Sequence, residues 1–186
     1  TAIALFRNLR RYRPLIFAHV GGRYADMTQH EEGTEIGVEI HSAWGTFEWL
    51  LEDALRLGHR VAVLANSDEH KGRPGLSHPG AAHFGSRGGL TAVRAPALTR
   101  RDVWAALRDR RTFATTGARM ILDAGTDTGL RPGDIARVAA APEFRLDVHG
   151  TAPIEEVQLR CGLGLVRAWR PYGAGDLGRR IKIVWR

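Results

Sequence analysis

Three predicted strands end in side chains that can ligate a metal or act as acids and bases. These candidates are His19 after "LIFA", Glu39 and His41 around the end of "IGVEI", and Asp68 and His70 after "VAVLANS". Residues two apart share one face of a strand, so Asp68 and His70 are expected to point the same way. Because the C-terminal ends of parallel strands lie at one edge of a sheet, candidates that are distant in sequence can converge there.

Each of these residues also has a plainer interpretation. A histidine that closes an apolar strand is more often a hydrogen-bonded core or capping residue than a ligand. Asp68 can begin an ordinary turn ahead of Gly72 and Pro74, and Glu39 can pair with a surface arginine. The joint placement at successive strand ends is harder to explain by turns and packing alone, and it favours a metal site. Neutral imidazole together with carboxylate suits zinc, iron or manganese rather than calcium.

The segment after Asp68 carries further side chains that could contact a substrate. Arg73, in "HKGRPG", is either an anion clamp for phosphate or carboxylate or a solvated turn residue, and both interpretations stay open. His78 and His83 lie in the loop 72–89, where they either cover a site or are simply exposed. The sequence contains no phosphate-binding Gly-Lys-Ser loop, no Gly-x-Ser-x-Gly elbow and no His-Glu-x-x-His helix. P-loop hydrolysis, serine esterase chemistry and zincin proteolysis therefore lose support.

Alternating helix and strand patterns in the first two thirds predict βα units and a mainly parallel sheet. The predicted elements are helices at 1–12, 46–58 and 99–111, and strands at 15–22, 36–40, 60–67 and 90–95. One of Trp44 and Trp49 is expected in the core, and Thr99 is expected to cap the third helix. Short alternating segments between Gly, Pro and Asp turns then predict an antiparallel β domain, a sandwich. We therefore predict an α/β domain over 1–117 and a small β domain over 118–186.

The composition of the 186-residue chain limits its partners and its compartment. A net charge of +7 and a pI near 10.6 could indicate nucleic-acid binding. Arginine is nevertheless spread along the whole chain, and the densest run, Arg100–Arg111, includes two aspartates, so nucleic acid is not an expected partner. No run approaches the about 18 apolar residues of a membrane span, so no membrane partner is expected. Cys161 is the single cysteine and cannot form an intrachain disulfide; secretion is neither required nor excluded, and the cytoplasm is favoured.

Four segments together resemble the C-terminal portion of proteins of the PHP superfamily, the polymerase and histidinol phosphatase group of metal-dependent phosphoesterases. They are "IFAHVGG", "VEIHSAWGTFEW", "ANSDEHKGRPG" and "RRTFATTGAR". In order, these are similar to a late His strand, a Glu-bearing strand with its helix, the closing Asp-x-His motif, and the exit from the barrel in a large bacterial branch. The resemblance implies a distorted β/α barrel whose rim binds divalent metals. It also implies His19, Asp68 and His70 as ligands, with Glu39 and His41 at the rim.

The expected fold class is therefore the C-terminal part of a distorted PHP-type β/α barrel, followed by a small antiparallel β domain. The expected function is that of a metal-dependent hydrolase, a phosphoesterase, in which zinc, manganese or iron activates water and the substrate is a small phosphoester or another anion. Asp68 and Arg73 are the expected catalytic residues. The family's opening His-x-His strand has no counterpart before Leu15, so the chain is expected to be a fragment that is inactive alone. The alternative is a non-catalytic binding or assembly module, and an unpaired strand edge would favour a homo-oligomer.

Overall fold

The computed structural model describes residues 2–20, 25–72 and 87–170 in full, and residues 180–185 by their backbone. The chain divides into two compact units, Thr1–Gly117 and Ala118–Arg186. Every candidate site residue that the structure describes belongs to the first unit, so this unit positions the candidate site.

The centre of unit 1 is a small, mainly parallel sheet built around one long strand. Strand β2 (Glu35–Ser42) pairs in parallel with both β1 (Ile16–Ala18) and β4 (Ala62–Ala65). At its C-terminal end, β2 turns back into the short antiparallel strand β3 (Gly45–Thr46). The apolar runs of these strands suit a sheet that is covered on its faces. Because the three parallel strands end at the same edge, the residues that follow them are neighbours.

Helix α2 (Glu48–Arg56) supplies the apolar surface that packs on this sheet. Leu50 and Ala54 are fully buried, and residues four apart lie on the same face of a helix. The core that they enter also contains the buried side chains of Ala18, Val20, Met27 and Val38.

The two tryptophans near the start of α2 do not enter this core. Trp44 is 45% exposed and Trp49 is 39% exposed, so the expectation that one of them is a core residue is wrong. The helical spacing is real, but Leu50 and Ala54 occupy the inward face of α2, and Trp44 precedes the helix in the β2–β3 turn.

Among the described residues, the other two α-helices come before and after the three parallel strands along the chain. Helix α1 (Ala2–Leu9) precedes β1 and buries none of its residues fully. Helix α3 (Arg100–Arg108) begins after Thr99, whose Oγ1 accepts the backbone N–H of Asp102 at 3.1 Å. The predicted N-cap is therefore confirmed. None of the described helices is long and apolar enough to cross a membrane.

Strands β5 (Leu90–Val93) and β6 (Thr112–Thr115) form an antiparallel pair beside β4. Threonine side chains join this pair to β4: Oγ1 of Thr91 donates to the carbonyl of Ala65 at 2.8 Å, and Oγ1 of Thr112 donates to the carbonyl of Val63 at 2.9 Å. Because β5 and β6 pair with each other in a sheet of their own, the parallel sheet does not continue through them.

In the described part of unit 2, the strands are antiparallel and form two separate sheets. In one sheet, β8 (Phe144–His149) pairs with β7 (Ile121–Thr126) and with β11 (Arg180–Trp185). The other is the hairpin of β9 (Val157–Cys161) and β10 (Gly164–Trp169).

The predicted PHP-type β/α barrel is wrong. Across the described residues the strands form four small sheets, most of their pairings are antiparallel, and no sheet closes into a barrel; these residues contain three α-helices. The alternation of helix and strand patterns does not encode pairing direction. Between β1 and β2 the described residues contain a short 3₁₀ helix (Met27–Gln29) where a βα unit would have an α-helix. After β4, the next two strands pair with each other.

Candidate functional site

Three candidate side chains meet at the C-terminal edge of the parallel strands. His19 follows β1, and its Nδ1 atom lies 2.8 Å from Oε1 of Glu39 on β2. On the other side of the ring, Nε2 of His19 lies 3.8 Å from Oδ2 of Asp68, which follows β4. The parallel pairing of β2 with its two neighbours explains this convergence, because all three strands end at one edge.

The contact with Glu39 fixes where the His19 ring carries its proton. A carboxylate only accepts hydrogen bonds, so Nδ1 is the donor and the neutral ring keeps its lone pair on Nε2. The side chain of Glu39 is 7% exposed, whereas that of His19 is 44% exposed. The carboxylate is thus held inside the protein while the imidazole is open to solvent, which suits a base or a metal ligand at Nε2.

Glu39 is in turn held by Asn66, which the sequence analysis did not single out. Nδ2 of Asn66 donates to Oε2 of Glu39 at 2.6 Å, so both carboxylate oxygens are engaged. The backbone of Asn66 is also fixed, because its N–H donates to the carbonyl of His41 at 3.0 Å and its carbonyl accepts from Gly89 at 2.8 Å. The only sequence signal was an amide side chain between an apolar run and Asp68, which is equally typical of a turn. Both oxygens of the Glu39 carboxylate are therefore engaged by hydrogen bonds, and its role as a metal ligand stays a prediction.

Asp68 and His70 lie on a turn, so the prediction that they share a strand face is wrong. Strand β4 ends at Ala65, and Asp68 has a φ of +49°, in the left-handed region that Asp tolerates better than most residues. The turn places Nδ1 of His70 2.7 Å from the Asp68 carbonyl and 3.8 Å from its Oδ1. Since a carbonyl only accepts, Nδ1 of His70 is the donor and its lone pair lies on Nε2.

The His41 side chain forms its hydrogen bond with the β2–β3 hairpin, away from His19 and Asp68. Strand β2 has a bulge between Glu39 and His41, and a bulge breaks the alternation that would place both side chains on one face. Nδ1 of His41 lies 2.8 Å from Oγ1 of Thr46 on β3. Its Nε2 atom is buried and has no hydrogen-bond partner among the described residues. The contacts of His41 therefore connect it to the hairpin rather than to His19 or Asp68.

Arg73, His78 and His83 lie outside the described residues. The roles expected of them, an anion clamp and a cover over the site, stay predictions.

Two potential metal ligands lie close together among the described residues. No group of three or more His, Cys, Asp or Glu side chains among them is arranged to hold an ion. His19 Nε2 and Asp68 Oδ2, 3.8 Å apart, are nevertheless close enough to share one, because zinc binds nitrogen and oxygen ligands at about 2.0–2.2 Å. The residues therefore fit a divalent cation as two ligands. Further ligands have to come from water, from a side-chain movement, or from residues outside the described part.

The fold and this cluster place a histidine and two carboxylates at one edge of a small sheet, and one arrangement of this kind can serve many activities. Residues 48–137, less than half of the chain, match the model of a family described as a protein of unknown function (DUF3604). The matched segment contains Asp68 and His70, but neither His19 nor Glu39. No curated protein and no solved structure matches the chain. The resemblance to the PHP superfamily is therefore wrong, because the family model that matches is a different one.

Proposed function

We propose that the chain is a metal-dependent hydrolase of a phosphoester or another small anionic ester, with His19 and Asp68 as ligands of a divalent cation. The observation that carries the proposal is the approach of His19 Nε2 to Asp68 Oδ2, 3.8 Å, with Glu39 behind the ring at 2.8 Å. Metal-binding histidines commonly donate their other ring N–H to a carboxylate, which orients the ring and raises its basicity. Glu39 supplies that carboxylate, and the donor set suits zinc, manganese or iron.

Each residue has its own task in this proposal. His19 and Asp68 hold the cation. The third ligand is His70, whose side chain is 52% exposed on the same turn and has to move toward the ion, since the described residues hold no preformed group of three ligands. Three protein ligands and one open position are typical of catalytic zinc, and the bound ion supplies a water of lowered pKa and a charge that stabilises the phosphoryl oxygens. Glu39 keeps the proton of His19 on Nδ1, and Asn66 keeps Glu39 in place.

Hydrolysis of p-nitrophenyl phosphate by the purified chain, with and without added zinc or manganese chloride, tests the proposal. The expectation that the chain is inactive alone rested on the PHP resemblance and falls with it. We therefore expect turnover that requires the metal and that falls by about 100-fold or more in His19→Gln and in Asp68→Asn, since even an outer partner of a ligand contributes about 10–100-fold. His149→Gln is the matched control: the His149 side chain is 45% exposed and lies 3.4 Å from Asp147, but it belongs to unit 2. Equal metal-dependent turnover in His19→Gln and His149→Gln would overturn the assignment.

A non-catalytic binding or assembly module is the second candidate, and unit 2 carries the observation that favours it. Leu163, Leu165 and Val166 of the β9–β10 hairpin are 40%, 53% and 60% exposed. Adjoining exposed apolar side chains are typical of interaction surfaces. Zinc binding without any metal-dependent hydrolysis would favour this candidate. Light scattering at micromolar concentration would then show whether the chain self-associates, as the sequence predicts.

A further inference from the structure

Trp44 lies at the tip of the β2–β3 hairpin, directly beyond the end of β2. Its backbone N–H donates to Oγ of Ser42 at 3.2 Å. Gly45 follows with a φ of +146°, a conformation that favours glycine. The local sequence therefore fixes the backbone from which the indole projects.

Two backbone hydrogen bonds tie this hairpin to the turn that carries Asp68. The N–H of Ala43 donates to the carbonyl of Ser67 at 3.2 Å, and the N–H of Asn66 donates to the carbonyl of His41 at 3.0 Å. The two segments are thus held together by their main chains, independently of which side chains occupy them.

Trp44 contacts His70 and is partly exposed to solvent. The two ring centroids are 6.3 Å apart and the planes are tilted by 54°, which is within the range of favourable aromatic contacts. Trp44 is 45% exposed. Single exposed apolar side chains are normal on a protein surface, and Trp49 is exposed to a similar degree; Trp44 differs because it lies against a candidate ligand.

We propose that Trp44 determines the specificity of the site by receiving a planar group of the substrate on its indole. The substrate class that follows is a phosphoester whose alcohol part carries an aromatic or heterocyclic ring. Aromatic side chains hold such rings by stacking, whatever the ring's hydrogen-bonding pattern. This inference rests on the proposed function, because it takes the phosphoryl group to be held beside His19 and Asp68.

Binding of two unreactive ligands tests the inference without requiring turnover. Calorimetry would compare phenylphosphonate with methylphosphonate on the zinc-loaded chain. We expect the phenyl compound to bind about 10-fold more tightly, the low end of the effect of one stacked base. That preference should vanish in Trp44→Ala and Trp44→Leu, and persist in Trp44→Phe and in the control Trp49→Phe. No preference in the unmodified chain, or an equal loss for both ligands in Trp44→Ala and Trp44→Leu, would overturn the inference.

Turnover of phenyl phosphate and methyl phosphate separates this inference from the function on which it rests. We expect the ratio of the two kcat/KM values to fall about 10-fold in Trp44→Leu and to be unchanged in Trp49→Phe. A phenyl preference in binding that is lost in Trp44→Leu, in a chain that hydrolyses neither ester, would support the role of Trp44 and overturn the hydrolase. Metal-dependent hydrolysis with an unchanged ratio in Trp44→Leu would support the hydrolase and overturn the role of Trp44.

Discussion

His19 and Glu39 are joined by a hydrogen bond of 2.8 Å between Nδ1 and Oε1, although they lie 20 positions apart in the chain. The parallel pairing of β1 with β2 brings them together. Glu39 is buried and also accepts a bond from Asn66, so its carboxylate is part of the interior of unit 1, whereas the His19 side chain is 44% exposed. The exposed His19 at the edge of the sheet is thus oriented by the buried carboxylate of Glu39.

Glu39→Gln should disturb both the site and the fold. Donors from His19 and Asn66 face the two carboxylate oxygens, and a glutamine offers only one accepting oxygen beside its own NH₂ group. One donor is left unsatisfied, so we expect the free energy of unfolding to fall by about 1–3 kcal/mol and zinc affinity by about 10–100-fold. Urea unfolding and calorimetric zinc titration measure the two effects. Glu52→Gln, at an exposed position on α2 paired with Arg56, should change neither.

Asp68 should contribute to metal binding through its carboxylate and to stability through its tolerance of a positive φ. Asp68→Asn keeps a residue that accepts the left-handed region, whereas Asp68→Ala does not, so we expect Asp68→Ala to be less stable than Asp68→Asn by about 1 kcal/mol. Both variants should lose zinc affinity to a similar extent. If urea unfolding gives equal stabilities, Asp68 does not hold the φ of +49° in solution.

Gly89→Ala should destabilise the chain next to the site. A Cβ atom on Gly89 would lie 2.5 Å from Cβ of Ala65 and 3.0 Å from the backbone nitrogen of Asn66. Relieving that overlap requires a backbone shift, which typically costs about 1–3 kcal/mol. Gly164→Ala is the control, because its Cβ would meet only the Cys161 carbonyl at an ordinary 3.5 Å. Equal unfolding midpoints in urea for the two variants would contradict the close approach of Gly89 to β4.

The hydrogen bonds of Asp26 lead to a prediction about the pKa of its carboxyl group and about the pH dependence of stability. Oγ1 and the backbone N–H of Thr28 both donate to Oδ1 of Asp26, at 2.6 Å and 3.0 Å, and they hold the pKa of this carboxyl below its usual 3.8, the hydroxyl having the larger effect. A carboxyl whose folded-state pKa is depressed adds stability above pH 3.8, and that stability is lost as the pH falls through the folded-state value.

Thr28→Val removes the hydroxyl donor and keeps the backbone N–H. We expect the pKa of Asp26 to rise toward 3.8 in this variant and to stay low in Thr28→Ser, which keeps a hydroxyl. Carboxyl-carbon NMR titration measures both values. An unchanged Asp26 pKa in Thr28→Val would show that the hydroxyl does not bind the carboxylate in solution.

Local sequence patterns were sufficient to predict several elements and part of the site. The apolar runs before His19 and before Asn66 become β1 and β4, and Thr99 caps α3 as its spacing with Asp102 indicates. The rule that strand ends share an edge selected His19, Glu39 and Asp68, which the structure brings together.

The remaining features depend on contacts that a single sequence does not encode. The bulge that separates His41 from Glu39 arises from the pairing of β2 with β4, and the left-handed φ of Asp68 belongs to a turn that alternation rules do not describe. Asn66 is notable only once Glu39 is next to it. The prediction of a barrel is wrong for the same reason. Helix and strand patterns specify the elements, but they do not specify that β5 and β6 pair with each other.

The zinc affinities of the chain, His19→Gln, Asp68→Asn and the double variant, measured by calorimetry alongside urea unfolding, test the central claim most directly. If one ion lies between His19 Nε2 and Asp68 Oδ2, each single variant should lose about 100-fold or more. The double variant should then lose far less than the two losses combined, because either change already breaks the shared site. Unchanged zinc affinity in either single variant, or losses that simply add in the double variant, would contradict a shared metal site.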